Sequence, residues 1–145
     1  KRGMIVEFKF FDLSTTQIPE RSEVGYLIGV EASLVISDHG LVILNEPTFP
    51  VLELAWSLGH WTASSPLHDF EFESLDYEEI GVVSIKSHNN KWVVSSCFNP
   101  TVSSAPYERE VIFTSIANFI GRLYHELKQI ESDAATMLES AFKLL

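Results

Sequence analysis

Cysteine is nearly absent from this sequence of 145 residues, and long hydrophobic runs are absent altogether. Cys97 is the single cysteine, so no disulfide can form within the chain, which is typical of a reducing cytoplasm. No apolar run approaches the roughly 20 residues of a membrane-spanning helix, and no charged, apolar and small-residue signal peptide opens the chain. We therefore expect a cytoplasmic protein, with Met4 as the natural first residue and Lys1, Arg2 and Gly3 left over from expression.

Basic residues are missing from the whole central part of the chain. The formal net charge is −10, and no Lys or Arg occurs between Ser22 and Ile85. Such a surface repels the phosphates of nucleic acid and attracts basic partners, and added salt weakens both effects. The alternative interpretation is that the acidity serves solubility alone. Eleven acidic residues fall in this stretch, namely Glu23, Glu31, Asp38, Glu46, Glu53, Asp69, Glu71, Glu73, Asp76, Glu78 and Glu79.

Motifs of known catalytic and cofactor sites are also missing. The sequence has no Gly-rich phosphate loop and no G-x-S-x-G elbow, and no two of its five histidines have the i,i+4 spacing of a helical zinc pair. His60, His68 and Asp69 flank a loop of unknown shape. Cys97 with the distant His125 could be written as nucleophile and base, but a lone cysteine in an apolar strand favours a core residue. We therefore expect no metal, no cofactor and no enzymatic activity.

The composition that is present predicts one globular domain over residues 1–145. Hydrophobic residues make up 46% of the chain and charged residues 21%, values typical of a packed core. Strands come first, with one helix among them, and helices follow. This order predicts an α+β domain with an antiparallel or mixed sheet of about five to six strands, helices packed on one side, and a helical C-terminal part.

Alternating apolar residues and turn residues give the strand positions. The Asp38-His39-Gly40 turn and the His88-Asn89-Asn90-Lys91 turn each predict a hairpin. A loop is expected from Ser14 to Ser22. Strands are predicted over residues 4–11, 26–36, 41–44, around Phe70 and Phe72, and over 80–87 and 92–98.

Helical spacing marks two other regions. Thr48 is a candidate cap for a helix with Pro50 in its first turn, and the apolar stripe of this helix runs from Val51 to Trp61. Trp56 lies off that stripe, either as an exposed binding anchor or in a second packing face.

The C-terminal third carries one long apolar stripe. Apolar residues recur every three or four positions from Ile112 to Leu144. An uninterrupted helix over residues 106–145 would be about 60 Å long, too long for one domain of this size. Either the helix breaks near Glu131-Ser132-Asp133, or its end protrudes and pairs with a second copy. The break is favoured, because Ser132 or Asp133 can cap a new helix.

The densest group of charges lies between Asp69 and Glu79. Six carboxylates fall within eleven residues, without the glycine and ligand spacing of an EF-hand and without a cleft for a glycosidase. The segment is either a solvated face or a docking surface for a basic partner, with Tyr77 as an aromatic anchor. The candidate contact residues are Asp69, Glu71, Glu73, Asp76, Tyr77, Glu78 and Glu79.

Three segments carry a resemblance in layout. They are L-G-H-W at residues 58–61, F-E-F-E-S-L-D-Y-E-E at 70–79 and K-W-V-V-S-S at 91–96. Over residues 4–127 the chain resembles small acidic bacterial proteins of unassigned function, some of which are similar to immunity proteins of polymorphic toxin systems. This resemblance implies a non-enzymatic protein that blocks a toxin by stoichiometric binding, often with acidic residues facing a basic active site.

Three hypotheses follow for function. The preferred one is an acidic binding protein that neutralises or regulates a basic protein, such as a toxin. The second is a structural domain that forms homodimers through its C-terminal helices. The third is an enzyme whose site no motif reveals.

Overall fold

The structure, a computed structural model, describes residues 5–142, so the interpretation of Met4 and of residues 1–3 lies outside the described residues. Within this range the chain combines six β-strands with four α-helices, which confirms an α+β fold with a helical C-terminal part. The elements in chain order are β1 (Val6–Ser14), α1 (Glu23–Gly29), β2 (Glu31–Asp38), β3 (Leu41–Phe49), α2 (Val51–Thr62), β4 (Phe70–Glu71), β5 (Ser84–His88), β6 (Lys91–Ser95), α3 (Arg109–Ile130) and α4 (Ser132–Phe142).

The strands form two sheets, so the expectation of one sheet is wrong. Each sheet described in residues 5–142 has three antiparallel strands, in the orders β1-β2-β3 and β4-β5-β6. α2 and the segment after it separate the two sheets in sequence, and β3 and β6 contact each other in space. The short β4 leaves the second sheet small.

Both predicted hairpin turns are present, and both have two central residues with positive φ. The values are +50° and +84° for His39 and Gly40, and +52° and +67° for Asn89 and Asn90. Positive φ at both positions is characteristic of the two-residue type I′ turn, whose twist matches that of antiparallel strands. These turns therefore set the β2–β3 and β5–β6 pairings locally.

The buried face of the first sheet lies against the helices. Phe8 and Phe10 of β1 are buried, and their rings lie 5.8 and 6.1 Å from the ring of Phe119 in α3. The hydroxyl of Ser115 in α3 donates a 2.6 Å hydrogen bond to the backbone oxygen of Val6. α3 is thus fixed to the edge strand β1 by aromatic packing and a buried hydrogen bond.

Residues 26–29 of the strand predicted over residues 26–36 instead belong to the helix α1. Ser22 caps this helix by accepting a 3.0 Å hydrogen bond from the backbone N–H of Gly25. Tyr26 and Val30 occupy alternate positions of a strand pattern, but their i,i+4 spacing also places them on one side of a helix, and both are buried. The alternation was therefore compatible with either structure.

The start of α2 also differs from the prediction. Thr48 belongs to β3, and Pro50 occupies the N-cap position without a side-chain capping bond. Trp61 is buried, as its place in the apolar stripe predicted, and Trp56 is half-buried against the core with its ring 4.9 Å from that of His60. Trp56 thus contributes to a second packing face.

The predicted break in the C-terminal helix is confirmed. α3 ends at Ile130, Glu131 has an extended φ of −154°, and α4 begins at Ser132. The apolar stripe of α3 is used inside the chain, since Ile112, Ile116, Phe119, Leu123 and Leu127 are buried. Within the described residues, no helix is long and apolar enough to cross a membrane.

The last two predicted strands are shorter than expected. β5 begins at Ser84 rather than at Ile80, and β6 ends at Ser95. After β6 the chain turns, because Ser96 Oγ accepts from the backbone N–H of Phe98 at 3.1 Å. The turn leaves Cys97 and Phe98 exposed, so the prediction that Cys97 is a core residue is wrong.

Candidate functional site

The loop between β4 and β5 carries four of the six clustered carboxylates. We call residues 73–80 the acidic loop. Its base is closed by the backbone bonds from Gly81 N–H to the Phe72 oxygen at 3.0 Å and from Phe72 N–H to the Val83 oxygen at 2.9 Å. The side chains of Glu73, Asp76, Glu78 and Glu79 are all exposed on this loop.

Glu53 anchors the acidic loop from beneath. This carboxylate lies in the first turn of α2 and is only 4% exposed. Its two oxygens accept from Ser74 Oγ at 2.6 Å and from the Leu75 backbone N–H at 2.8 Å. Ser74 Oγ in turn accepts from the Asp76 N–H at 2.8 Å. A buried carboxylate with both oxygens bonded fixes the position of residues 74–76.

Tyr77 is the second anchor. Its ring lies between Phe49 and Phe98, with centroid distances of 5.5 and 6.0 Å. Its hydroxyl lies 3.3 Å from Glu46 Oε1 and 3.2 Å from the backbone oxygen of Thr48, either of which can accept its proton. Burial, followed by the carboxylate of Glu46, raises the pKa of Tyr77 to about 12. Tyr77 therefore stays a hydrogen-bond donor and holds the loop against β3.

Two predicted contact residues lie at the base of the loop rather than on it. Asp69 Oδ1 accepts from the backbone N–H and the hydroxyl of Ser87 at 2.9 and 3.2 Å, which ties it to β5. Glu71 pairs with Lys86 at 3.1 Å. Lys86 thus partly neutralises Glu71, whereas the hydrogen bonds from Ser87 fix the position of Asp69 without changing its charge.

The four carboxylates on the acidic loop have no cationic partner within the part of the chain that the structure describes. Among residues 5–142, no Lys, Arg or His forms a salt bridge with Glu73, Asp76, Glu78 or Glu79. The structure therefore places four of the six clustered carboxylates on one anchored loop, without a salt-bridge partner among the described residues.

Exposed apolar residues surround the same loop and were not predicted. Leu75 and Ile80, on the loop itself, are 64% and 57% exposed, and Phe98 and Val42 are 41% and 44% exposed. The run from Leu41 to Leu44 gave an indication, because four consecutive apolar residues in a strand cannot all face one core. No local pattern indicated that Phe98 lies on the surface.

Val42 and Phe98 line a groove of about 250 Å³ beside the acidic loop. The side-chain amide of Asn99 closes it by donating to the backbone oxygen of Ile43 at 3.2 Å. We call it the β3 groove. Its lining residues are Val42, Ile43, Leu44, Asn45, Glu46, Phe98 and Asn99.

A second buried carboxylate, Asp38, links the first hairpin to the segment before α3. It accepts from the Tyr107 hydroxyl at 2.7 Å and from the Ala105 N–H at 2.8 Å, and His39 Nδ1 lies 3.2 Å away. Burial and this carboxylate raise the pKa of Tyr107 to about 12. These contacts connect the turn after β2 to the segment before α3.

Cys97 and His125, the pair considered as nucleophile and base, each have other contacts. Although Cys97 is exposed, partial desolvation, followed by the carboxylate of Glu79, raises the pKa of its thiol, which disfavours a thiolate nucleophile. His125 has its ring against Tyr124 on α3, at 5.6 Å. Across residues 5–142, no group of three or more His, Cys, Asp or Glu side chains is placed to hold a metal ion.

Comparison with known families adds one finding. A family model described as Domain of unknown function (DUF7878) matches residues 6–129. The chain belongs to the DUF7878 family. The DUF7878 match runs from the start of β1 almost to the end of α3, so it includes both sheets, both anchors and the acidic loop, while α4 follows it. No curated protein and no solved structure matches the chain significantly.

Proposed function

We propose that this DUF7878 protein is a non-enzymatic binding protein whose acidic loop docks on a basic protein. The observation that carries the proposal is the set of four exposed carboxylates, without a salt-bridge partner among residues 5–142, on a loop that Glu53 and Tyr77 hold in place. The resemblance in layout to immunity proteins suggests a toxin as the basic partner. The protein acts without a cofactor, and the cytoplasm is its proposed location.

The anchored loop favours binding because little conformational entropy is lost on association. Residues 74–77 already have their backbone and ring contacts in the free protein, and such preorganisation raises affinity. Four like charges on one side of the molecule accelerate encounter with a basic surface. Leu75 and Ile80 supply apolar area that a partner can cover.

The proposal is tested by matched charge removal. The partner is first isolated by pull-down from lysate of the native organism, at low and then at high salt. Its association rate constant is then measured with Glu73→Gln/Glu78→Gln and with the control Glu23→Gln/Glu126→Gln, which changes the net charge equally at exposed positions on α1 and α3.

We expect the loop variant to associate at least about threefold more slowly at low salt, and the control to differ little from the wild type. The difference should shrink as salt screens the charges. Equal rates for the two variants at low salt would refute docking through the acidic loop.

Homodimerisation through the C-terminal helices stays a prediction. The stripe on α3 that suggested it is buried within the chain, so a dimer would have to use other residues, such as the half-exposed Ile130. For this reason the heterologous partner is the better supported proposal.

A further inference from the structure

We infer that the β3 groove binds one aliphatic or aromatic side chain from an extended, Lys/Arg-bearing segment of the basic partner. The inference rests on the proposed function and specifies which feature of the partner this surface recognises. The occupant follows from the size of the groove, its lining and the charges around it.

The volume of the groove fits a side chain better than a free ligand. Pockets for cofactors and drug-sized molecules usually measure about 300 to 1,000 Å³, whereas this groove has about 250 Å³ and is open to solvent. Val42 and Phe98 each leave more than two fifths of their surface exposed there. A partner side chain that covers them would bury apolar area on both proteins.

The position of the groove fits an extended segment. β3 pairs with β2 along one side only and is the edge strand of its sheet. The groove follows residues 42–46 of this strand and ends close to Tyr77, whose hydroxyl reaches Glu46. A segment lying along β3 from Val42 toward Glu46 would therefore reach Tyr77 and the acidic loop.

The charges around the groove select a basic segment. Among the described residues that line the groove, Glu46 is the charged one, and none is Lys or Arg. Asp76 lies next to Tyr77 in the chain, and Glu79 acts electrostatically on Cys97, the neighbour of Phe98, whose ring lies 6.0 Å from that of Tyr77. Cationic residues beside the inserted side chain would thus meet the carboxylates of Glu46 and of the acidic loop.

The test uses two synthetic peptides and the ¹⁵N-labelled protein. The probes are the peptide GKKFKKG and its matched control GKKSKKG, which differ only in the central side chain. Val42→Arg fills the groove and adds a positive charge, and Val24→Arg makes the same change at an exposed valine of α1. Affinities and amide shift changes are measured at low salt for the wild type and both variants.

We expect the Phe peptide to bind the wild type and Val24→Arg at least about threefold more tightly than the Ser peptide. The ratio of the two affinities should fall to about one in Val42→Arg. In the wild type, only the Phe peptide should shift the amide signals of Val42, Asn45 and Asn99. Equal binding of both peptides, with shifts confined to residues 73–80, would overturn the groove inference and leave acidic docking intact. Absence of binding by either peptide would overturn both.

Discussion

The carboxylate of Glu53 lies between α2 and the acidic loop and connects them by two hydrogen bonds. Replacing Glu53 with Ala would leave the Leu75 N–H and the Ser74 hydroxyl without this acceptor. We expect the free energy of unfolding to fall by about 2 kcal/mol, as for buried hydrogen bonds to a charged group. Urea unfolding measures the loss, and hydrogen exchange should show faster exchange of the Leu75 amide.

The matched control is Glu126→Ala on the exposed side of α3, which should change the stability by less than about 0.5 kcal/mol. Glu53→Gln keeps one acceptor oxygen and should fall between the two. If Glu53→Ala is as stable as the control, Glu53 does not anchor the acidic loop.

Tyr77 and Tyr107 make the stability depend on pH in the alkaline range. The fold raises both pKa values from 10.0 to about 12 and so favours the neutral phenol. Their contribution is fully present below about pH 10, and it is lost as the pH rises toward 12, because the unfolded chain ionises first. We expect the free energy of unfolding to fall less steeply above pH 10 in Tyr77→Phe/Tyr107→Phe than in the wild type. Parallel curves would contradict the raised values.

At the scale of elements, α1 depends on close backbone contact at its glycines. A Cβ atom on Gly25 would lie 2.0 Å from the backbone oxygen of Glu20, whereas one on Gly121 in α3 would meet nothing within 4 Å. We expect Gly25→Ala to destabilise the protein by about 1 to 3 kcal/mol through overpacking. Gly121→Ala should instead stabilise it by about 0.5 to 1 kcal/mol. Thermal unfolding of the two variants provides the comparison.

The elements that could be predicted from the sequence are those fixed by local chemistry. The turns at His39-Gly40 and Asn89-Asn90 and the helix break before Ser132 depend on a few adjacent residues. α1 could not be assigned, because the spacing of Tyr26 and Val30 suits a strand and a helix equally. The division into two sheets was missed because the local periodicity of apolar residues does not show which distant strands pair.

In the candidate site, too, local sequence features could be predicted and contacts between distant residues could not. The acidic cluster is contiguous in sequence and was predicted, although Asp69 and Glu71 prove to have partners within the chain. The anchoring role of Glu53 and the β3 groove were missed, because Ser74 lies 21 positions from Glu53 and Asn99 lies 56 positions from Ile43. Only the folded chain brings those residues together.

At the scale of the whole molecule, we expect a monomer in solution. The apolar stripe of α3 is covered by the chain's own core, and a net charge of −10 opposes self-association. Light scattering should give a mass of 16.4 kDa at every concentration tested, at low and at high salt. A mass of twice this value would favour the homodimer hypothesis instead.

The residues that hold the acidic loop in place differ from the residues that the loop exposes to solvent. Glu53, Ser74 and Tyr77 face inward and fix the backbone, whereas the side chains of Glu73 and Glu78 point into solvent. Evolution can therefore replace the displayed residues without loss of the fold. Among DUF7878 proteins we expect the inward positions to persist and the displayed ones to diverge, so that one scaffold can present different surfaces.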